Sequence, residues 1–517
     1  MFVEHRNELF REAIMRTRTR RSLVVVTLVI IVGISSLYSQ DDYEKWKKAE
    51  TDKYQQWKDE RDKEFTDFLK AEWKQFQAFK EQTLFDSPEL KTIPVAPPRS
   101  VVKPALRPKP EQKPEAKVEP KPEVAPEQNL EKNPEAVVTP KPEAKPEPAP
   151  EIKPEIQPAP APPPKNETKP EPKPVVKAET APAPNSTIDP EKNPNSLSVD
   201  FYEAAVPLLY SDGLKAKLEG PPNAKSISAF WEAMSKSNYE DFIKQAQIYK
   251  ERMNLNDWGY CEFINKTAEK LYPGSRNESN MFDWFMLSKS GYQVKIGYSG
   301  DNVYLLLPTS GALYGVAYYM FGNSTTRFYN VMFDGLEKPQ IATLYSYDQN
   351  YPNATKLTSY QVTMAPSIRH DIQTRTLKFT HNGSEYTVKV EYDRNAVRFF
   401  EYYPQTDFEI YFDAVPSTEA KTTLLDALRP LVKDGSETES VDLLLHFVQT
   451  AFKYVTDEEQ FGREKPFFLE ETLFYPGSNC KDRAVLFAFL VRNLLGLEVV
   501  GLHYPNHVAT AVRFNGD

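Results

Sequence analysis

The amino-acid sequence predicts a mixed α+β fold for the C-terminal part of the chain, and three observations lead to that class. Apolar residues recur with helical periodicity between 227 and 288. Apolar and polar residues alternate between 376 and 412, where Asn-Gly-type turn signals separate the runs. A helical pattern at 485–496 is followed by strand-like runs at 497–502 and 507–514. Helices and strands are therefore mixed along the chain, as in an α+β protein.

Composition limits both the size of the folded core and the class of partner. The chain has 517 residues with 44 prolines, and 64 basic against 73 acidic side chains leave a net charge of −9. Bulk charge thus argues against a nucleic-acid partner. Two cysteines are too few for a disulfide scaffold, although a single Cys261–Cys480 bridge stays open. Residues 197–517 are enough for two modest cores.

The first 39 residues are predicted to be a signal peptide or a membrane anchor. Four arginines between 16 and 21 precede an apolar run at 23–37. Its length falls between a signal peptide and a comfortable membrane span, so cleavage after Ser39 and retention of 22–38 as an anchor both stay open. We expect the rest of the chain to be exported to the cell envelope, either periplasmic or anchored in the inner membrane.

Residues 40–87 carry an aromatic repeat with a period of eleven. One register contains Tyr43, Tyr54, Phe65 and Phe76, and the other contains Trp46, Trp57, Phe68 and Phe79. Eleven residues make three helical turns, so the pattern predicts one continuous helix over 42–80 with an aromatic stripe. We interpret the stripe mainly as packing against its own protein. Membrane contact or partner binding, including oligomerisation through this helix, are the alternatives.

Residues 88–196 are rich in proline, lysine and glutamate and almost free of aromatic residues. Such a segment cannot bury a core, so we expect a disordered spacer with extended polyproline II segments. A role as a PxxP ligand is the alternative.

We divide the next part of the chain into an α+β domain at 197–340 and an antiparallel β unit at 341–415. The helices predicted in the first are 227–235, 239–252, 257–271 and 281–288, with strands at 293–296 and 303–307. The strands predicted in the second are 376–380, 386–392, 397–402 and 408–412. His370 and His381 lie in turn-like surroundings, and we interpret both as ordinary surface histidines.

The segment 416–517 contains the residues that indicate a catalytic site. Asn479 is a plausible N-cap with Asp482 at position N3, and Gly496 is a natural helix stop. Cys480 then falls in the first helical turn, where unpaired N–H groups and the helix dipole favour a thiolate. His446 lies amid the apolar face of an earlier helix with a Ser436–Glu439 capping box, and we interpret it as a structural histidine.

His507 opens the strand that follows a turn at 504–506. Two antiparallel strands packed on the preceding helix would bring its imidazole to the Cys480 thiol, forming a Cys–His nucleophile pair. Cys480 and His507 are therefore the candidate catalytic residues, and we expect no metal and no cofactor. The structural alternative is that Cys480 is a small buried hydrophobic residue.

Several segments of this region resemble the transglutaminase-like (papain-like) domain of bacterial envelope proteins. They are 449–457, 459–462, 475–476, 480–483 and 507–512. The resemblance implies a Cys-His-Asp triad with Cys480 as nucleophile and His507 as base and acid. It further implies an exported cysteine hydrolase or acyltransferase that acts on amide bonds of peptide, protein or cell-wall substrates. The alternative is a catalytically inactive envelope scaffold or binding protein.

The sequence departs from that pattern in two places. Val508 and Ala509 replace the tryptophan that often follows the histidine of the family. The third triad residue belongs on a strand beyond Asp517, so the domain is expected to be truncated in this chain. For the oxyanion hole we expect the Cys480 N–H, with Gln460 or Tyr475 as the side-chain donor.

The stretch Asn280-Met281-Phe282-Asp283 repeats the Asn-x-x-Asp pattern of 479–482 and is likewise followed by a glycine and two strand-like runs. It is either a degenerate copy of the same helix-and-hairpin unit, with Met281 at the nucleophile position, or a coincidence of α+β patterning. We favour coincidence.

Overall fold

The computed structural model describes residues 43–85, 91–93, 95, 189, 191–333 and 341–515. All of them belong to one compact unit, in which helices and strands are mixed, so the α+β class is confirmed. The predicted signal or anchor and the central part of the predicted spacer lie outside the described residues. Within the described ranges, no helix is both long enough and apolar enough to cross a membrane.

The N-terminal half of the described chain contains five helices and nine strands. The helices are α1 (43–71), α2 (Ala224–Ser235), α3 (Tyr239–Arg252), α4 (Asp257–Leu271) and α5 (Arg276–Lys289). The strands are β1 (Lys74–Gln77), β2 (Lys91–Ile93), β3 (Asn195–Phe201), β4 (Ala204–Tyr210), β5 (Lys295–Ser299), β6 (Asn302–Pro308), β7 (Tyr318–Tyr319), β8 (Phe328–Asn330) and β9 (Thr343–Ser346). The four helices predicted between 227 and 288 are confirmed, and α3 and α4 have the predicted bounds.

The C-terminal half contains seven helices and six strands in its described residues. The helices are α6 (Arg394–Glu401), α7 (Phe408–Asp413), α8 (Thr418–Val432), α9 (Glu437–Thr450), α10 (Asp457–Phe461), α11 (Leu469–Phe474) and α12 (Cys480–Leu490). The strands are β10 (Ile372–His381), β11 (Ser384–Asp393), β12 (Lys453–Tyr454), β13 (Gly477–Ser478), β14 (Glu498–Tyr504) and β15 (His507–Arg513).

A six-stranded antiparallel sheet organises the N-terminal half, with the strand order β1-β9-β5-β6-β8-β7. Strand β9 pairs with both β1 and β5. The boundary that we placed at 340 therefore runs through one sheet, because β9 lies beyond it. Helix α5 packs against β5 and β6.

The long N-terminal helix is shorter than predicted. It ends at 71, and residues 74–77 form an edge strand, so the prediction of one helix to Lys80 is wrong beyond that point. Phe76 lies opposite Leu344 in the β1–β9 pair, and its ring contacts Phe321 at 4.6 Å. The hydrogen bonds and aromatic contacts of the sheet edge outweigh local helical periodicity here.

Within α1, the aromatic residues of the eleven-residue repeat form the predicted i, i+3 pairs. The three i, i+3 aromatic pairs have ring centroids 5.9–6.1 Å apart. The C-terminal pair packs on the protein, with Phe65 buried against Trp231 at 4.8 Å. The two N-terminal pairs, which contain Tyr43, Trp46, Tyr54 and Trp57, are exposed. Packing against the protein thus covers only one end of the stripe.

Two predicted strands are helices. Residues 397–402 fall mostly in α6, and residues 408–412 fall in α7. Asp393 caps α6 by accepting the Asn395 N–H at 2.9 Å, and the Phe400 ring stacks on Phe468 at 4.1 Å. Short apolar runs cannot be divided between helix and strand by periodicity, so capping and packing decide.

The remaining hairpin belongs with the C-terminal helices. Strands β10 and β11 pair through the predicted Asn382-Gly383 turn, where both residues have positive φ. The hairpin packs against α8, α9 and α11, so 341–415 is not a separate β unit. Strand β14 pairs with β15 and also with β2. The predicted spacer therefore has ordered ends, in β2 and at the start of β3.

Candidate active site

Cys480 is the first residue of α12, as predicted. Asn479 is the N-cap, and the helix continues through a π-helical turn to Gly496, which has φ 69° and ends it. The Cys480 thiol is free and partly exposed, whereas the Cys261 thiol is free and buried. No bridge joins the two cysteines. Burial raises the pKa of Cys261 well above its usual range, so Cys261 is an inert core thiol.

Asp482 caps the helix start as predicted. Its carboxylate accepts the Asn479 N–H at 2.9 Å and the Phe467 N–H at 3.1 Å. Burial raises the pKa of Asp482 to about 7, although the Lys481 ammonium and the two N–H donors oppose that rise. The carboxylate is therefore turned into the protein and fixes the start of the helix relative to the preceding loop.

A buried ion pair holds the same helix start from another side. The Lys481 ammonium bonds Asp457, and Glu464 lies 2.8 Å from it. Burial lowers the pKa of Lys481, but the carboxylates of Asp482, Asp457 and Glu464 outweigh that effect and raise it. Asn479 also donates to Asp457 at 2.6 Å. The residues on both sides of Cys480 are thus buried and bonded, while Cys480 itself reaches the surface.

Sequence reasoning missed this ion pair. Asp457 follows Thr456, the N-cap of α10, in a capping box with Glu459. The Thr-x-x-Glu pattern predicts the start of a helix, but it does not predict that Asp457 pairs with Lys481. That pairing depends on the fold.

Gln460 lies against the backbone just before the helix. A Cβ atom at Gly477 would lie 2.8 Å from Gln460 Oε1 and 2.5 Å from Val455 Cγ2, so only glycine fits there. The Gln460 Nε2 atom is buried and lacks a hydrogen-bond partner among the described residues. An unpaired buried amide is costly, and it is the kind of group that a ligand oxygen satisfies. The Tyr475 ring instead packs on Phe467 at 4.9 Å.

His507 is the first residue of β15 and its side chain is exposed. It lies opposite Tyr504 across the turn, where Asn506 has φ 58°. Helix α12 packs on β14 and β15. The helical segment 480–495 and the strand β14 that runs back along it are each about 24 Å long. The turn between β14 and β15 therefore lies beside the start of the helix.

Cys480 and His507 therefore lie at the same end of one helix-and-hairpin unit. In the described part of the chain, no hydrogen bond joins their side chains. The Cys–His pair itself stays a prediction.

Three histidines outside this unit differ in their surroundings. The interpretation of His381 as a surface residue is wrong, because it is only 8% exposed and its Nε2 lies 2.9 Å from Asp442 Oδ2. The β10–β11 hairpin packs on α9 and encloses it. His446 Nδ1 lies 2.9 Å from the Asp442 carbonyl oxygen and the side chain is 41% exposed, so the structural interpretation of His446 stays a prediction. His370 is exposed as predicted and bonds Asp393.

A large cavity lies away from these residues. It measures about 860 Å³ and is lined mainly by charged residues of α1 and by residues around the end of α2. It includes neither Cys480 nor His507, so it is not part of the candidate active site.

No protein-family model, curated protein or solved structure matches the chain. The resemblance to transglutaminase-like domains therefore depends on the chain's own motifs and on the surroundings of Cys480.

Proposed function

We propose that the protein is an exported cysteine hydrolase or acyltransferase of the transglutaminase-like type, which acts on amide bonds of peptides, proteins or cell-wall material. The observation that carries the proposal is the placement of Cys480. Its thiol is partly exposed at the first position of α12, while Asn479, Lys481 and Asp482 beside it are buried and bonded. A reactive thiol on a rigid helix start is what nucleophilic catalysis needs.

In the proposed reaction, His507 takes the thiol proton and Cys480 Sγ attacks the carbonyl carbon of the amide. The tetrahedral intermediate collapses when the C–N bond breaks, and His507 returns the proton to the leaving amine. A thioester remains on Cys480. Water or a second amine then attacks this acyl-enzyme, with His507 again moving the proton, and the free thiol is restored.

The oxyanion of each tetrahedral intermediate needs donors that are already in place. The Cys480 N–H is one, because no acceptor takes it among the described hydrogen bonds. The unpaired Nε2 of Gln460 is the second, and it is better suited than Tyr475, whose ring is packed between aromatic neighbours.

The first experiment labels the full chain with an electrophilic amide probe. The native protein should be labelled at Cys480, the Cys480→Ala variant should not be labelled, and the Cys261→Ala variant should behave like the native protein. Cys261 is the matched control because it is a free thiol that is fully buried. Equal labelling of the native and Cys480→Ala proteins would refute the proposal.

The second experiment tests whether His507 makes the Cys480 thiol more reactive than an exposed thiol would be. His507→Ala should slow labelling at pH 7 by at least about tenfold, the lower part of the range typical of a lost general base. Equal rates in both proteins at pH 7 would leave Cys480 as an accessible thiol only.

A scaffold function is the second candidate, and one observation favours it. Two aromatic pairs of α1, which contain Tyr43, Trp46, Tyr54 and Trp57, are exposed. In this function the N-terminal segment supplies membrane contact in the envelope, and α1 supplies oligomerisation or partner binding. Replacing Trp46 and Trp57 by Ala should then abolish self-association in sedimentation, whereas Cys480→Ala should not change it. A monomeric native chain would exclude oligomerisation through α1.

A further inference from the structure

Three potential metal ligands converge where the β10–β11 hairpin meets α9. His381 is the last residue of β10, next to the Asn382-Gly383 turn. Asp442 and His446 are four residues apart on α9, which places their side chains on one face of the helix. The hairpin packs directly on α9, so residues more than 60 positions apart in sequence share one site.

The geometry of this His-Asp-His cluster is compact. One ligand atom from each residue lies within 4.8 Å of the other two. His381 Nε2 is 2.9 Å from Asp442 Oδ2, and the two imidazole rings are 4.9 Å apart. Atoms on one coordination sphere of about 2 Å radius lie at most about 4 Å apart, so metal binding needs small side-chain movements that shorten any longer separation.

The hydrogen bonds also set the histidine tautomer. His446 Nδ1 lies 2.9 Å from the Asp442 carbonyl oxygen, so this nitrogen must carry the proton. In the neutral imidazole that binds metals, Nε2 is then the nitrogen with the lone pair. A histidine whose second nitrogen donates to a backbone carbonyl is typical of metal ligands, because the bond fixes the ring and raises its basicity.

Burial and charge are consistent with a cation. His381 is buried, whereas the side chains of Asp442 and His446 are 48% and 41% exposed, so the cluster opens to solvent on the helix side. One carboxylate and two neutral imidazoles form a mixed oxygen and nitrogen donor set. Zinc takes such a set readily and completes its tetrahedron with water, while Mg²⁺ prefers oxygen ligands alone.

We propose that His381, Asp442 and His446 bind a divalent transition-metal ion, with Zn²⁺ as the matching cation. The ion joins the end of the hairpin to α9. Since α9 packs against α12, whose first residue is Cys480, the metal stabilises the C-terminal region from outside the candidate active site. The inference does not depend on the proposed catalysis, because it uses no residue of the Cys480 site.

The test measures Zn²⁺ binding to the full chain after chelator treatment, by competition with a chromogenic chelator and by thermal unfolding. His446→Asn is the main variant, since its half-exposed side chain is not needed for the core. His370→Asn is the matched control. His370 also pairs with an aspartate, at 2.7 Å from Asp393, but Asp393 uses its carboxylate to cap α6 and the pair belongs to no such three-ligand group in the described chain.

The native chain and His370→Asn should each bind one Zn²⁺ and unfold at a higher temperature when it is present. His446→Asn and Asp442→Asn should bind at least about tenfold more weakly and lose the thermal shift. Co²⁺ in place of Zn²⁺ should give the visible absorption of a nitrogen- and oxygen-ligated ion. Absence of stoichiometric binding to the native chain, or equal affinity in His446→Asn, would overturn the proposal.

Discussion

The chain contains two helix-and-hairpin units of similar layout and different use. In the first, α5 is followed by Gly291 and the β5–β6 hairpin, and in the second, α12 is followed by Gly496 and the β14–β15 hairpin. In both, the hairpin is antiparallel and packs on the helix. The helix-and-hairpin layout therefore recurs, as the copy interpretation requires.

The helix starts, however, do not correspond. Helix α5 begins at Arg276, so Asn280 lies inside it and donates its side chain to the Val303 carbonyl at 2.8 Å. Met281 is fully buried, whereas Cys480 stands at the first position of α12 and reaches the surface. The same Asn-x-x-Asp motif thus forms a turn inside a buried helix in one unit and a capped helix start in the other. A reactive position requires the helix start, not the motif.

The largest effect should come from breaking the buried ion pair that holds the start of α12 in the second unit. Asp457→Ala removes the hydrogen-bonded partner of the buried Lys481 ammonium and leaves it with the carboxylates of Glu464 and Asp482, and we expect a loss of about 3–5 kcal/mol in the free energy of unfolding. Urea unfolding measures it. Glu464→Gln, at a side chain 37% exposed, should cost less than about 1 kcal/mol. Similar losses in the two variants would mean that Asp457 does not hold the helix start.

The next comparison concerns Met281 and Cys480, which occupy the same position in the two Asn-x-x-Asp motifs. Met281→Ala should lower the free energy of unfolding by about 2–5 kcal/mol, because it leaves a cavity in a filled core. Cys480→Ala should change it by less than about 1 kcal/mol, since a partly exposed thiol fills little core volume. Thermal or urea unfolding of the two variants would check this. A large loss in Cys480→Ala would make Cys480 a packing residue and remove the difference between the units.

The smallest effect concerns the Asp482 cap and is best seen as a pH dependence. The folded pKa of about 7 lies above that of an unfolded aspartate, so the folded state holds the proton more tightly. Asp482 thus contributes most to stability below about pH 4, and that contribution falls as the pH rises to about 7. Asp482→Asn should cost about 0.5–2 kcal/mol near pH 5, where the neutral acid still bonds the helix start, and less at pH 8.

The measurement is the melting temperature of the native and Asp482→Asn proteins between pH 4 and 8. Asp434→Asn, at a side chain 82% exposed, is the control and should leave the melting temperature nearly unchanged. Probe labelling of Cys480 should persist in Asp482→Asn. Loss of labelling with unchanged stability would place Asp482 in the catalytic machinery instead of the cap.

Several parts of the fold could be predicted because their signals are local. Helices α3 and α4 follow apolar periodicity, and the β10–β11 turn follows from Asn382-Gly383. The start of α12 is encoded within four residues by Asn479 and Asp482. Caps and turns depend on hydrogen bonds between neighbours in sequence, so the sequence contains all that is needed to read them.

Other parts could not be predicted because distant partners decide them. Phe76 continues the eleven-residue repeat, yet it lies in an edge strand because β9 supplies hydrogen bonds to it. Residues 397–402 form a short run rich in β-branched and aromatic residues that is compatible with a strand, yet stacking of Phe400 on Phe468 favours a helix. In both places the local preference is weak, and tertiary packing of aromatic surface outweighs it.

By itself, the sequence determined the α+β class, the capped helix that presents Cys480, and the turn that precedes His507. Only the tertiary structure decided that Asp457 pairs with Lys481, that Gln460 lies unpaired against Gly477, and that His381 meets Asp442 and His446. The physical reason is the range of the interactions. A cap joins residues three positions apart, whereas an ion pair or a ligand cluster joins residues that come together only when the core has formed.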